Sequence, residues 1–345
     1  MAYSFGDGLD LYATPADAIA GYWDSGTSGF SLVAGRFAGS QALQNSATSA
    51  IYLTKSSAQN DAVHHIVVAF RQTAALSGTA RGLAFNLIDG TTTQCSIVFL
   101  SSGTILLTSG GTTGTTLATY SSAVAAANTW YAFEFEVVIN NSTGSFTVRR
   151  DGATSASFSA ASLNTRLSAN NYANKVQIGC STGSIASQLF DDFFWRSDAS
   201  SVAWLGDIRC YTRMPASDAS VQFTRSSGAT NASCVDEAQQ DAPATYVYDS
   251  TVAHADLYGI ATIAAPPVSV VAVTTRAYLL KSDTGTRTAA ARLKSGATTV
   301  ASSTLTLTGT GWQWAWRMDL TDPATGSAWT AAAVDAAQAG QTVIA

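Results

Sequence analysis

The sequence predicts an all-β protein made of two sandwich domains, and three observations carry that expectation. Apolar residues recur at every second position over many short runs, the runs are bounded by Gly, Ser, Thr, Asn and Asp, and helical periodicity is almost absent. With 345 residues the chain exceeds the length at which a single apolar core keeps growing, so two domains of ordinary size fit better than one.

The clearest element spans 130–152. After Trp130, Phe133, Phe135, Val137 and Ile139 share one face while Glu134 and Glu136 share the other. The sequence NNSTG at 140–144 supplies turn chemistry, and Phe146 and Val148 resume the apolar face, so a hairpin is predicted. Similar runs lie at 66–70, 83–88, 97–100, 105–107, 176–180 and 189–195, separated by turns such as 101–103 and 109–114. Short antiparallel strands at this spacing form a sandwich or jelly roll. The small polar stretch 196–202 separates two aromatic-rich strands and sets the expected domains at 1–197 and 203–345.

Beyond it the strand pattern restarts, with a β-branched run at 268–280. Trp312, Trp314, Trp316, Met318 and Leu320 then fall on one face. So large an apolar stripe is assigned to a core or subunit interface over a sugar-stacking platform, because left exposed it would aggregate. One helix is expected near the end, capped by Ser327 or Thr330 and running to Ala339, with Gly340 in the left-handed position after it and a closing strand over 342–345. No fixed-period repeat or heptad pattern encodes a fibre shaft.

Charged residues make up 12% of the chain, about half the usual level of roughly 25%. Ser, Thr, Gly and Ala take their places, giving a surface with little self-repulsion and little side-chain entropy to lose, suited to packing against copies of itself. A net charge of −5 argues against a nucleic-acid partner, and Arg149 and Arg150, as strand neighbours, point to opposite faces. Asp7, Asp10 and Asp17 precede the first basic residue, Arg36, which is unlike an ordinary secretory signal. No apolar run approaches the ~18 to 20 residues of a membrane span, so no membrane insertion is expected. Cys95, Cys180, Cys210 and Cys234 are widely spaced and are expected as buried reduced thiols.

Glu134 and Glu136 are the sharpest enzymatic candidates, since alternate strand residues share a face and glycoside hydrolysis needs two carboxylates. The position two residues on is Val138, and the expected reading is a solvated outer strand face. Asp191 and Asp192, adjacent on a strand, are expected to face opposite ways, leaving Asp192 as the candidate for a calcium ligand. His64, His65 and His254 are too few for a metal triad. With no nucleophile elbow, phosphate loop or dinucleotide fingerprint, no catalytic residue, metal or cofactor is assigned. For a glycan, the loops 101–103 and 109–116 are candidates, with Tyr120 or Tyr172 as the stacking surface.

Several motifs occur in order along the chain: FGDG at 5–8, RFAGSQAL at 36–43, the strand pair from 130–131 to 151–152, and FDDF at 190–193. This part resembles the concanavalin A-like, laminin-G-like jelly rolls of many phage structural proteins. The remainder carries WLGDIR at 204–209, FTRSSG at 223–228, VDE at 235–237, TYV at 245–247, DLY at 256–258, GTR at 285–287 and DPATGSAW at 322–329. It resembles a β-rich module that follows this jelly roll in phage tail and virion proteins. The resemblance implies a bacteriophage virion structural protein on the particle exterior, in the tail, collar or head decoration, made in the host bacterial cytoplasm. Its implied partners are itself, as a homotrimer by analogy, and other virion proteins. Two alternatives stand beside it: a lectin-like adhesin gripping host surface polysaccharide, and a glycoside hydrolase-like jelly roll using Glu134 and Glu136. The loop after Val235 departs from the family pattern, with Asp241 alone before Pro243, which weighs against a metal there.

Overall fold

In the computed structural model the alternation over 130–150 becomes the middle of a large antiparallel sheet. Residues 3–27, 29–45, 51–180, 187–200, 203–241, 243–263, 267–309 and 311–345 are described. Ser201 and Val202, which close the polar stretch read as a domain boundary, lie outside them. The chain divides into two compact units. One comprises 1–10, 14–19 and 23–210, the other 11–13, 20–22 and 211–345.

The first unit is a jelly-roll sandwich. Its front sheet runs in the order Phe158–Leu163, Gly144–Arg150, Tyr131–Val138, Val63–Gln72, Gln188–Asp198, Gln41–Asn45 and Phe30–Ala34, and Tyr3–Asp7 also pairs with Gln188–Asp198. The back sheet runs Thr116–Tyr120, Ile105–Ser109, Thr92–Leu100, Arg81–Asp89, Ala173–Cys180, Ile51–Asp61 and Ser25–Gly26. Inward-facing rings join the layers: Phe70 stacks on Phe99 at 4.0 Å between centroids, and Phe85 meets Phe135 and Phe193 at 6.3 and 6.1 Å. Each such ring removes a large apolar area from water, which is what fixes the strand register. A short helix at Pro15–Ala18 went unforeseen; the Asp17 carboxylate accepts the Thr14 N–H at 2.7 Å, the capping arrangement that TPAD encodes.

The second unit is a sheet in the order Pro215–Ser220, Ala255–Ile260, Gln338–Val343, Arg287–Ser295 and Thr298–Ala301, with Leu305–Leu307 also on Arg287–Ser295. Two ribbons accompany it, Thr224–Arg225 with Val247–Tyr248 and Val273–Leu279 with Gln313–Asp319. On the tryptophan face Trp314 is buried, Trp312, Trp316 and Met318 are half-buried and Leu320 at the end is exposed. Trp314 stacks on Tyr278 at 4.3 Å and meets Tyr12 edge-on, Trp316 meets Tyr22, and the Arg276 guanidinium lies 3.3 Å from the centre of the Tyr22 ring. The opposite face of the same ribbon is covered too, with Thr275 and Ala315 buried.

The C-terminal helix is shorter than the sequence suggests, spanning Ala331–Ala336. Thr330 is its cap, accepting the Ala333 N–H at 3.1 Å. It ends because Ala337 turns extended and the chain joins the sheet as Gln338–Val343, not as a closing strand over 342–345. Gly340 is therefore a strand residue and not a helix terminator: a Cβ there would lie 2.0 Å from the Asp256 carbonyl oxygen.

Candidate functional site

The outer face of the front sheet carries the two glutamates. In register, Glu136 lies opposite His65, and Glu134 lies opposite Val67 and Arg149. His65 Nε2 is 2.8 Å from Glu136 Oε2, and its Nδ1 is 3.7 Å from Glu134 Oε1. The segment 204–210 crosses this face as a strap. Glu134 accepts the Leu205 and Gly206 N–H groups at 2.7 and 2.9 Å, and Gly206 takes a positive φ of 76° that suits a residue without a Cβ. The Trp204 ring meets His65 edge-on at 5.1 Å, with the Arg149 guanidinium 4.2 Å from its centre. This corrects the expected solvated face: Glu134 is only 2% exposed, because the strap, invisible to a period-two reading, covers it. Burial pulls the His65 pKa down, but the bonds to Glu134 and Glu136 outweigh it and the net shift is upward. The paired carboxylates thus hold the His65 ring and two backbone amides.

Asp191 and Asp192 do not face opposite ways. Asp192 adopts a left-handed φ of 51° in a bulge between Asp191 and Phe194, which breaks the alternation. Asp191 accepts the Arg36 N–H at 2.8 Å, and Asp192 accepts the Cys210 N–H at 2.7 Å and lies 3.5 Å from the Arg36 guanidinium. That guanidinium also grips Asp207 of the strap through both terminal nitrogens, at 2.6 and 2.7 Å. Burial, then the neighbouring charge of Asp192, pushes Asp191 up to about 7. Burial likewise raises Asp192 to about 6, opposed by the Cys210 N–H and Arg36. The cation beside Asp192 is Arg36, and among the described residues no group of three or more His, Cys, Asp or Glu is arranged to hold a metal.

The two proposed stacking tyrosines are not brought together. Tyr120 stacks on Phe158 at 5.3 Å, joining the edges of the two sheets, and the Tyr172 hydroxyl accepts the Asn170 amide at 3.1 Å. The loop 101–103 does border a concavity, a cleft of about 300 Å³ lined by Gln72, residues 74–75 and 77–80, Ser101 and Ser187. Its floor is fixed by Gln72, which donates to the Ser101 carbonyl at 2.8 Å and accepts from Gln188 at 3.1 Å. Neither tyrosine lines it.

The remaining candidates are structural. His64 is fully buried and held neutral, its pKa lowered by burial to about 4, between the Asp61 carbonyl and the Trp195 indole N–H. His254 pairs with Asp249 at 2.9 Å. Cys95, Cys180 and Cys234 are buried as expected, but Cys210 is exposed, since it ends the strap and not a core strand.

Sequence reading missed the centre of the second unit. Asp256 is fully buried and accepts from Gln222 N, Phe223 N, Asn231 Nδ2 and the Tyr258 hydroxyl, at 2.6 to 2.9 Å. Asp218 accepts Asn231 N and Ala232 N, so two carboxylates pin the loop 222–232. The available signal was the DLY spacing, which puts Asp256 and Tyr258 on one strand face.

No protein-family model and no curated protein matches the sequence. Solved structures align with part of the chain at low identity and low TM-score. A carbohydrate esterase from the Shiga toxin-encoding bacteriophage phi24B is 18% identical with a TM-score of 0.36, over 51% of this chain and 90% of that one. The CBM2 module of the evolved Dit of Lactobacillus casei BL23 phage J-1 is 12% identical with a TM-score of 0.34, over 59% and 92%. The VIP36 exoplasmic/lumenal domain in its Ca2+/Man2-bound form is 11% identical with a TM-score of 0.35, over 51% and 81%.

Proposed function

We propose that this chain is a bacteriophage virion structural protein on the particle exterior, in the tail, collar or head decoration. It works without catalysis, packing as a homotrimer and against other virion proteins, and it attaches to host surface polysaccharide. One observation carries the architectural reading: the carboxylates of the motifs are engaged in holding loops. Asp7 accepts the Trp23 indole and Leu9 N–H groups, Asp191, Asp192 and Asp207 bind Arg36 and the strap, Asp256 binds the loop at 222–223, and Asp322 accepts the Ala324 N–H. Acids so saturated are poor proton donors or nucleophiles but good fasteners. Low surface charge adds to this, since many weak contacts between identical subunits sum through multivalency. The polar cleft beside 101–103 supports the attachment part.

The test is to label intact particles of the encoding phage with antibody against this chain and to measure the purified protein by light scattering. Surface labelling and three times the 35.7 kDa chain mass are expected; unlabelled particles would refute the virion role, and a monomer the trimer.

A further inference from the structure

The ribbon of Thr224–Arg225 and Val247–Tyr248 presents an aromatic face to solvent. Tyr246 is 40% and Tyr248 52% exposed, and their ring centroids are 5.9 Å apart. Tyr246 immediately precedes the strand that holds Tyr248, and the two ring planes are tilted by 51°, so neighbouring sugar rings of one chain would each meet a separate ring. Thr224 lies opposite Tyr248 in register. Ser226 donates its N–H to the Tyr246 carbonyl and accepts the Tyr246 N–H at its Oγ, each at 2.9 Å. Hydroxyl groups thus border the rings along their neighbouring strand. The platform is also anchored, because Phe223 N at the start of the ribbon is held by fully buried Asp256 at 2.9 Å.

We infer that this face binds a neutral polysaccharide, pyranose rings stacking on Tyr246 and Tyr248. The inference rests on the attachment reading and gives it a site. The C–H face of a sugar carries slight positive charge that an aromatic face attracts, and a tyrosine has few rotamers to lose on binding. Charge selects the occupant. Thr245, just before the platform, bonds Glu237 and Asp241 through its hydroxyl, and Asp249 follows Tyr248. Arg225, the cation of the ribbon, is in register with Val247 and so projects from the other face. Anionic polymers are therefore disfavoured within a screening length of about 8 Å. A second copy docking here by two-fold symmetry would set the same carboxylates against each other.

The experiment is native gel electrophoresis of the full chain in gels containing dextran, mannan or laminarin, with alginate as the anionic comparison. Four proteins are run: the wild type, Tyr246→Ala with Tyr248→Ala, the same pair changed to Phe, and Ala75→Trp, which fills the cleft of the first unit. Retardation by a neutral polymer that falls at least tenfold in the Ala pair, survives in the Phe pair and is unchanged in Ala75→Trp supports the site. Retardation lost only in Ala75→Trp overturns the site and leaves the attachment reading standing. No retardation by any neutral polymer overturns both, and alginate binding preferred over the neutral polymers overturns the charge argument and the site with it. Loss of the trimer in the Ala pair would overturn the proposal in favour of a subunit contact. Both tyrosines are exposed, so the variants fold, which circular dichroism checks.

Discussion

Glu134 illustrates how one buried carboxylate fixes a chain crossing. It meets the Leu205 and Gly206 N–H groups and stands beside His65, so Glu134→Ala strands two part-buried donors at once. We expect a loss of about 3 kcal/mol in urea unfolding, with Glu134→Gln losing less because an amide oxygen still accepts one N–H; an Ala variant within ~0.5 kcal/mol of wild type would contradict this. The titrating groups of the same face set a pH profile. Raised folded-state values for Asp191, Asp192 and His65 mean that the folded protein binds more protons than the unfolded chain. The contribution of the two aspartates is full below 3.8 and is lost as pH rises toward about 7, and that of His65 is full below 6.5 and lost as pH rises beyond it. His64, lowered to about 4, acts the other way, its contribution being lost as pH falls below 6.5 toward 4. Between about pH 4 and 6 the two aspartates outweigh His64, so thermal stability should fall as pH rises from about 4 toward 7, a fall that Asp191→Asn lessens. The two glutamates and two aspartates were legible in the sequence as candidates, but their burial was not. Strand alternation says which side chains share a face and nothing about what crosses over them.

The elements divide by how local their causes are. The hairpin of Tyr131–Val138 and Gly144–Arg150 follows its pattern closely, because alternation and the turn residues act within about twenty positions. The terminal helix follows only at its start. Thr330→Ala should cost about 1 kcal/mol, the ordinary value of a lost cap. Gly340→Ala should cost roughly 1 to 3 kcal/mol, although Ala is the better helix former, because the new Cβ meets the Asp256 carbonyl of the neighbouring strand. Comparing the two by chemical denaturation separates a cap effect from a strand-packing effect. If Gly340→Ala is neutral or stabilising, the assignment of 338–343 to the sheet is wrong. The bulge at Asp192 belongs to the same class. A single left-handed residue turns two adjacent acids toward one arginine, and nothing in FDDF announces it.

At the scale of the molecule, the second unit draws residues 11–13 and 20–22 into its own core, where Tyr12 and Tyr22 are fully buried against Trp314, Trp316 and Arg276. A fragment of residues 211–345 lacks those rings and should expose the tryptophan ribbon, so it should bind an apolar dye strongly or aggregate where the full chain does neither. A fragment that stays monomeric and dye-free would show that the ribbon needs no such cover. What the sequence determined by itself is the all-β class, the positions of the inward rings and the low-charge surface, because period-two alternation and composition are local properties. The tertiary structure decided the burial of Glu134, the convergence of Asp191 and Asp192 on Arg36, the network at Asp256 and the cover over the tryptophans. Each of these joins residues tens to hundreds of positions apart, and such meetings arise only when sheets pack and loops are pinned across them.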